Sequence, residues 1–250
     1  MSDPSPRTHY KVAVLVYEGA NILDFTGPMQ VLSHVSPNHQ ECDPNSIPTF
    51  ETKTVSQDLL VQLSASINIE PDILLVSASD NIKDFDILIV PGAPMSIIRR
   101  IIQNNASPEL DLIRRYTTAT ESERPRILLS VCTGAFLLGA SGLLSGLTVT
   151  THYRALDELR DLCSGLEDSK QGKCSTNAVH RRFVDAESLK GTNVRIITSG
   201  GISAGIDAAF YIVCKLLGAE VASAASRDME YGWMEVQDVD WPMKFHCSLY

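Results

Sequence analysis

Residues 126–141 read RILLSVCTGAFLLGAS, and this stretch decides the fold. Arg126–Val131 is a short apolar run of the kind that forms a strand buried on both faces. It passes without a loop into Cys132-Thr133-Gly134 and then into a small-residue helix, Ala135–Ser141. A strand that turns straight into a helix at a reactive side chain, with Ser130 two residues before and Gly134 two after, is the nucleophile-elbow pattern, here with cysteine at its tip. The small neighbours have a steric reason, because the chain reverses too sharply to admit bulk beside the nucleophile. The side chain is thereby pushed into the crevice at the strand's C-terminal end, where open α/β sheets hold ligands.

On either side, strands and helices alternate. Tyr10–Tyr17 has the composition of a buried parallel strand, Asp86–Val90 reads as another buried strand, and Leu147–Thr151 and Val194–Ser199 read as strands. Phe50–Ser56 and Leu59–Ile69 alternate less cleanly and suggest an antiparallel edge. Glu18–Thr26 is expected to be a connection, with Gly27-Pro28 opening a helix that runs through His34. Pro37–Pro48 reads as a surface loop. Further helices are expected over Ser96–Asn104, Ser107–Glu121 (Ser107 as cap, Pro108 in the first turn), Tyr153–Cys163, Ala204–Leu217 and Glu220–Tyr231. The alternation predicts an α/β fold, a mostly parallel sheet with helices on both faces. One domain, residues 10–231, is expected between a polar tail at 1–9 and a tail at 232–250 that packs on it.

The 250 residues carry 21 Lys+Arg against 30 Asp+Glu, a net charge of −9. That balance argues against nucleic-acid or anionic-membrane partners, which reward a basic face. No apolar run approaches the ~20 residues of a membrane span. The six cysteines, Cys42, Cys132, Cys163, Cys174, Cys214 and Cys247, show neither the close pairing of a zinc site or redox dithiol nor the density of a disulfide scaffold. The N-terminus resembles no signal peptide. A cytoplasmic protein acting on a small molecule is expected, with no metal.

Three groups could carry chemistry. At Cys132 a helix N-terminus would supply partial positive charge and free N–H groups, favouring thiolate over thiol and stabilising an anionic intermediate. The plainer alternative is a buried small hydrophobe, as Cys214 in its apolar helix is read. In Leu23-Asp24-Phe25-Thr26-Gly27-Pro28, a carboxylate between two apolar side chains is expected to be desolvated and raised toward acid/base use; a helix-capping Asp is the competing interpretation. Glu18 competes for the acid/base role but sits where a solvated loop should begin. No histidine adjoins Cys132, although His152, after the next strand, could approach it in space. Two glycine turns complete the set. Pro91-Gly92-Ala93-Pro94 could point amides into the same crevice, whereas Ser199-Gly200-Gly201 reads as tight packing and not as a dinucleotide fingerprint.

At these residues the chain resembles the ThiJ/PfpI family of the class I glutamine amidotransferase-like superfamily. The resemblance runs over roughly Lys11 to Tyr231 and is carried by LDFTGP (Leu23–Pro28), DILIVPGAP (Asp86–Pro94), SVCTGAFLLGASGLLSG (Ser130–Gly146), TTHYRALDEL (Thr150–Leu159) and TSGGISAGID (Thr198–Asp207). The combination is most similar to the isocyanide hydratase branch, and also to the amidase-like domain of AraC-type regulators, whose DNA-binding portion has no counterpart here. The resemblance implies a flavodoxin-like three-layer sandwich, a homodimer, and Cys132 as nucleophile. It implies Asp24 as acid/base beside the thiol, Thr133 positioning substrate or water, and amides around Gly92 and Ala93 facing the same pocket, while His152 stays a candidate for substrate or oxyanion binding by its position alone. The activity implied is hydration of an isocyanide to an N-formamide through a thioimidate, without a cofactor. The alternatives are a glyoxalase- or deglycase-like activity on carbonyls, from which Asp24 in place of the branch's glutamate departs, and a sensor using the pocket or cysteine oxidation.

Overall fold

Val-, Ile- and Leu-rich strands with no polar face must be covered on both sides, and the arrangement of this chain does that. The structure, a computed structural model, describes residues 9–35, 48–118, 124–167 and 175–233. The chain runs β1 (Tyr10–Leu15), α1 (Ile22–Ser33), β2 (Phe50–Ser56), β3 (Val61–Gln62), β4 (Asn68–Ile69), β5 (Ile73–Leu74) and α2 (Leu75–Asp80). It continues through β6 (Ile87–Val90), α3 (Met95–Gln103), α4 (Pro108–Thr118), β7 (Arg126–Val131), α5 (Ala135–Ala140) and β8 (Thr148–Val149). The last elements are α6 (Leu156–Glu167), β9 (Asn177–Ala178), β10 (Phe183–Ser188), β11 (Val194–Ser199), α7 (Ala204–Leu217) and α8 (Ala219–Asp228).

Seven strands form the main sheet in the order β10-β11-β7-β6-β1-β2-β5. All pairings are parallel except β10 with β11. Every residue of β6 and β7 is buried, as a strand packed on both faces requires. One face is covered by α1, α7 and α8 and the other by α3, α4, α5 and α6. This is the mostly parallel, flavodoxin-like α/β sheet with helices on both sides. From β1 the chain winds outward to β2 and β5, then returns to β6 on the other side of β1. Ligand crevices form at such a switch point, outside the C-terminal strand ends.

Several boundaries differ from the sequence expectation. Helix α1 begins at Ile22, not at Gly27, so Asp24 lies in its first turn and Pro28 inside it. Gly27 and Pro28 are where α1 meets α7: a Cβ on Gly27 would stand 2.8 Å from Ile206 Cγ1, and Pro28 Cγ lies 3.4 Å from where a Gly205 Cβ would be. Phe50–Ser56 is an interior strand parallel to β1 and not an antiparallel edge. Leu59–Ile69 is no single strand, because Ala65 and Ser66, at φ 56° and 59°, turn the chain and leave only the antiparallel β3–β4 ribbon. Leu147–Thr151 contributes β8 to a separate ribbon with β9. Pro37–Ile47, residues 119–121, and the tails at 1–8 and 234–250 lie outside the described residues. No helix among the described residues is long and apolar enough to cross a membrane.

Candidate active site

The site is assembled from the segments that follow β1, β6, β7 and β11, all at the C-terminal ends of these parallel strands. Cys132 follows β7 in a tight turn with φ +98°, a left-handed conformation that costs a non-glycine residue energy and persists only where the surroundings enforce it. The enforcement is visible. A Cβ on Gly134 would stand 2.4 Å from the Val90 carbonyl oxygen and 2.8 Å from that of Pro91, so only glycine lets the elbow press onto the end of β6. From the other side, the Thr151 hydroxyl donates to the Cys132 carbonyl. Cys132 is 2% exposed.

Asp24 is fully buried, and α1 delivers it directly against the elbow. Its Oδ2 accepts hydrogen bonds from the Gly92 N–H at 2.9 Å and the Asn21 side-chain amide at 3.3 Å, and its carboxyl is hydrogen-bonded with the Cys132 thiol. Its Oδ1 is buried with no partner. Burial pushes the Asp24 carboxyl up to about 6 against the pull of those bonds. The Cys132 thiol is pushed up to about 12, chiefly by burial and then by the Asp24 charge, although the Ile202 and Thr133 amides bond to the sulfur and pull the other way. Burial thus works against the thiolate that a helix N-terminus is expected to favour. The helix beyond the elbow is only six residues long, and desolvation outweighs the two amides. The resting pair is a thiol beside a carboxylate.

Other candidate residues occupy specific places. The Thr133 hydroxyl donates to the Ala93 carbonyl at 2.6 Å and accepts from the Ala93 N–H at 2.9 Å, tying β7 to β6. The Gly92 and Ala93 amides are thus engaged by Asp24 and Thr133 and do not face open space. His152 stands one residue past Thr151, its Cδ2 2.9 Å from where a Gly201 side chain would begin. Its Nδ1 accepts from the Arg154 N–H at 3.3 Å, which leaves the ring proton on Nε2 when the ring is neutral. Burial, and then the Arg154 charge, lower its pKa. Glu18 is on the surface in an ion pair with Arg100 at 2.7 Å, away from the thiol. Among the described residues no group of three or more His, Cys, Asp and Glu is arranged to hold a metal.

Sequence reasoning does not single out Asn21, Tyr17 or Ile202. Tyr17 is buried and donates to the Pro91 carbonyl at 2.6 Å; burial, Asp24 and Cys132 all hold its proton on. Ile202, with φ +32°, supplies an amide to the sulfur. Its only advance signal is the glycine turn after β11.

A flavodoxin-like sheet whose strand ends converge on a strained cysteine and a buried carboxylate defines a class of cysteine-elbow proteins. The DJ-1/PfpI family model matches residues 10–215, and the chain belongs to that family. The isonitrile hydratase of Pseudomonas putida is 28% identical over 222 residues, 88% of this chain and 78% of that one. A Parkinson disease protein 7 homologue from Danio rerio is 29% identical over 164 residues, 65% of this chain and 72% of that one. Among solved structures, a ThiJ/PfpI family protein from Pseudomonas syringae shares the fold with a TM-score of 0.68 at 22% identity, covering 98% of this chain and 84% of that one. Drosophila melanogaster DJ-1beta does so at 0.63 and 18%, covering 90% and 100%.

Proposed function

We propose that this protein hydrates an isocyanide to an N-formamide through a covalent intermediate on Cys132. The observation that carries the proposal is the buried Asp24–Cys132 pair, in which a carboxyl with one unpartnered oxygen is hydrogen-bonded with a thiol. The similarity to an isonitrile hydratase supports it. At neutral pH Asp24 is ionised and Cys132 protonated. The sulfur attacks the terminal isocyanide carbon as Asp24 takes the thiol proton. The Asp24 charge helps hold that proton on sulfur, and the repulsion vanishes once the carboxyl is protonated. The Ile202 and Thr133 amides stabilise charge on sulfur during the transfer.

Asp24 then returns the proton to the former isocyanide carbon, giving the thioimidate R–N=CH–S–Cys132. Water adds to that carbon, one proton passing by way of Asp24 to the nitrogen. The adduct R–NH–CH(OH)–S–Cys132 collapses, the C–S bond breaks, and the hydroxyl proton returns to sulfur as R–NH–CHO leaves. Atoms balance with water alone and no carbon is oxidised or reduced, so the chemistry calls for no cofactor. Thr133 contributes its amide, since its hydroxyl is held by Ala93.

Formamide release from a simple aliphatic isocyanide tests the proposal. Wild type should produce it, Cys132→Ala should not, and Asp24→Asn should be slower by about 10²–10⁴-fold. Cysteine-independent turnover, or none by wild type, overturns it. Methylglyoxal consumption in the absence of formamide would instead place the thiol in carbonyl chemistry.

A further inference from the structure

Beside the nucleophile lies a cleft of about 210 Å³ whose walls include His152, Tyr153, His180, Arg181, Arg182 and Ile202. Ile202, one of its walls, also gives its N–H to the Cys132 sulfur. Three of its walls are rings in a row. The His152 and Tyr153 centroids are 4.8 Å apart, and Tyr153 and His180 6.1 Å, with interplanar angles of 33° and 36°. Tyr153 is 47% exposed and Ile202 46%, apolar surface that a substrate would cover. Arg154 spans the outer ring, with its guanidinium carbon 5.3 Å from the Tyr153 centroid and its Nε donating to the phenol at 2.8 Å.

The charge pattern runs against the chain's average. Acidic residues outnumber basic ones overall, yet none of the cleft's described lining residues is a carboxylate. Arg182 is neutralised from behind by Asp207. Arg154 pairs with no carboxylate among the described residues. An aromatic ring packs well against such rings, and a guanidinium held at the hydroxyl of Tyr153, itself a wall of the cleft, favours a planar anion.

We infer that this cleft holds the non-reacting part of the substrate and selects an aryl isocyanide bearing a carboxylate, with the ring on the His152–Tyr153–His180 shelf and the carboxylate at Arg154. The inference rests on the proposed hydration for the identity of the reacting group only. The experiment compares kcat/KM for 4-isocyanobenzoate, phenyl isocyanide and cyclohexyl isocyanide in the same protein, so that each variant is its own control. Wild type should favour 4-isocyanobenzoate over phenyl isocyanide by about tenfold, the size of one charge-assisted hydrogen bond. Phenyl should outrank cyclohexyl isocyanide. In Arg154→Gln the carboxylate preference should fall to near one, and Arg154→Lys should restore part of it. In Tyr153→Leu the ring preference should fall.

Equal use of the two aryl substrates by wild type, or a carboxylate preference that survives Arg154→Gln, overturns the inference and leaves the hydration chemistry standing. If none of the three is hydrated, the chemistry fails instead, and binding decides the cleft. Calorimetry on Cys132→Ala with 4-formamidobenzoate and formanilide then supports the assignment if the carboxylate binds more tightly in an Arg154-dependent way. Equal binding overturns it.

Discussion

At the scale of single residues, the site's chemistry turns on which atom holds one proton. Burial raises Asp24 to about 6 and Cys132 to about 12, so the ionised carboxyl is the base that the thiol needs. Activity should therefore rise with pH through about 6 as Asp24 loses its proton. A pH profile of kcat/KM for formamide formation checks this, and in Asp24→Asn the inflection should disappear. A profile that instead rises only near pH 8.5 would mark an ordinary thiol ionising on its own. Cys132 and Asp24 are legible in the sequence for local reasons: small residues flank one, and apolar residues flank the other. Ile202 is not legible. Its amide reaches the sulfur only because β11 lies beside β7, with Ser199 level with Val131, and no local pattern reports a contact between segments 70 residues apart.

At the scale of elements, the glycines of the elbow do steric work that sequence spacing correctly announces, while other glycines mislead. Gly134 is needed because two backbone carbonyls stand where a side chain would begin, and backbone cannot rotate aside. Gly134→Ala should destabilise the fold by roughly 1–3 kcal/mol and displace Cys132, read as a lower urea midpoint together with lost turnover. Unchanged values for both would mean that the β6–β7 edge is looser than its contacts indicate. Gly27-Pro28 has the local look of a helix start, yet it marks a helix crossing, because closeness between α1 and α7 demands a bare Cα as strongly as a turn does. The edge elements β5, α2 and β10 escape the sequence pattern for a different reason. The first two are short, and β10 grades along its length from two buried residues through two half-buried ones to two exposed ones.

At the scale of the whole molecule, placing a carboxyl at the switch point has a cost that global unfolding should reveal. Asp24 titrates near the ordinary aspartate value of 3.8 when unfolded and at about 6 when folded. A raised carboxyl binds its proton more tightly in the folded state, so its contribution favours folding at low pH and is lost as pH rises through the window from about 4 to about 6. The gap corresponds to about 3 kcal/mol by neutral pH. Other groups oppose it. His152, lowered by burial, and Asp72 and Asp185, lowered by their hydrogen bonds, all give stability that is lost as pH falls. Wild-type stability alone therefore mixes these signs, whereas the difference between wild type and Asp24→Asn isolates one of them. Asparagine keeps an oxygen for the Gly92 N–H but carries no charge to bury. Denaturant melts should find Asp24→Asn more stable than wild type at pH 7 by up to about 3 kcal/mol, with the gap closing toward pH 4. An Asp24→Asn protein that is less stable at pH 7, or a gap that ignores pH, would show that the carboxylate is satisfied in the folded state. The same molecule should thus be more stable without the group on which its proposed catalysis depends.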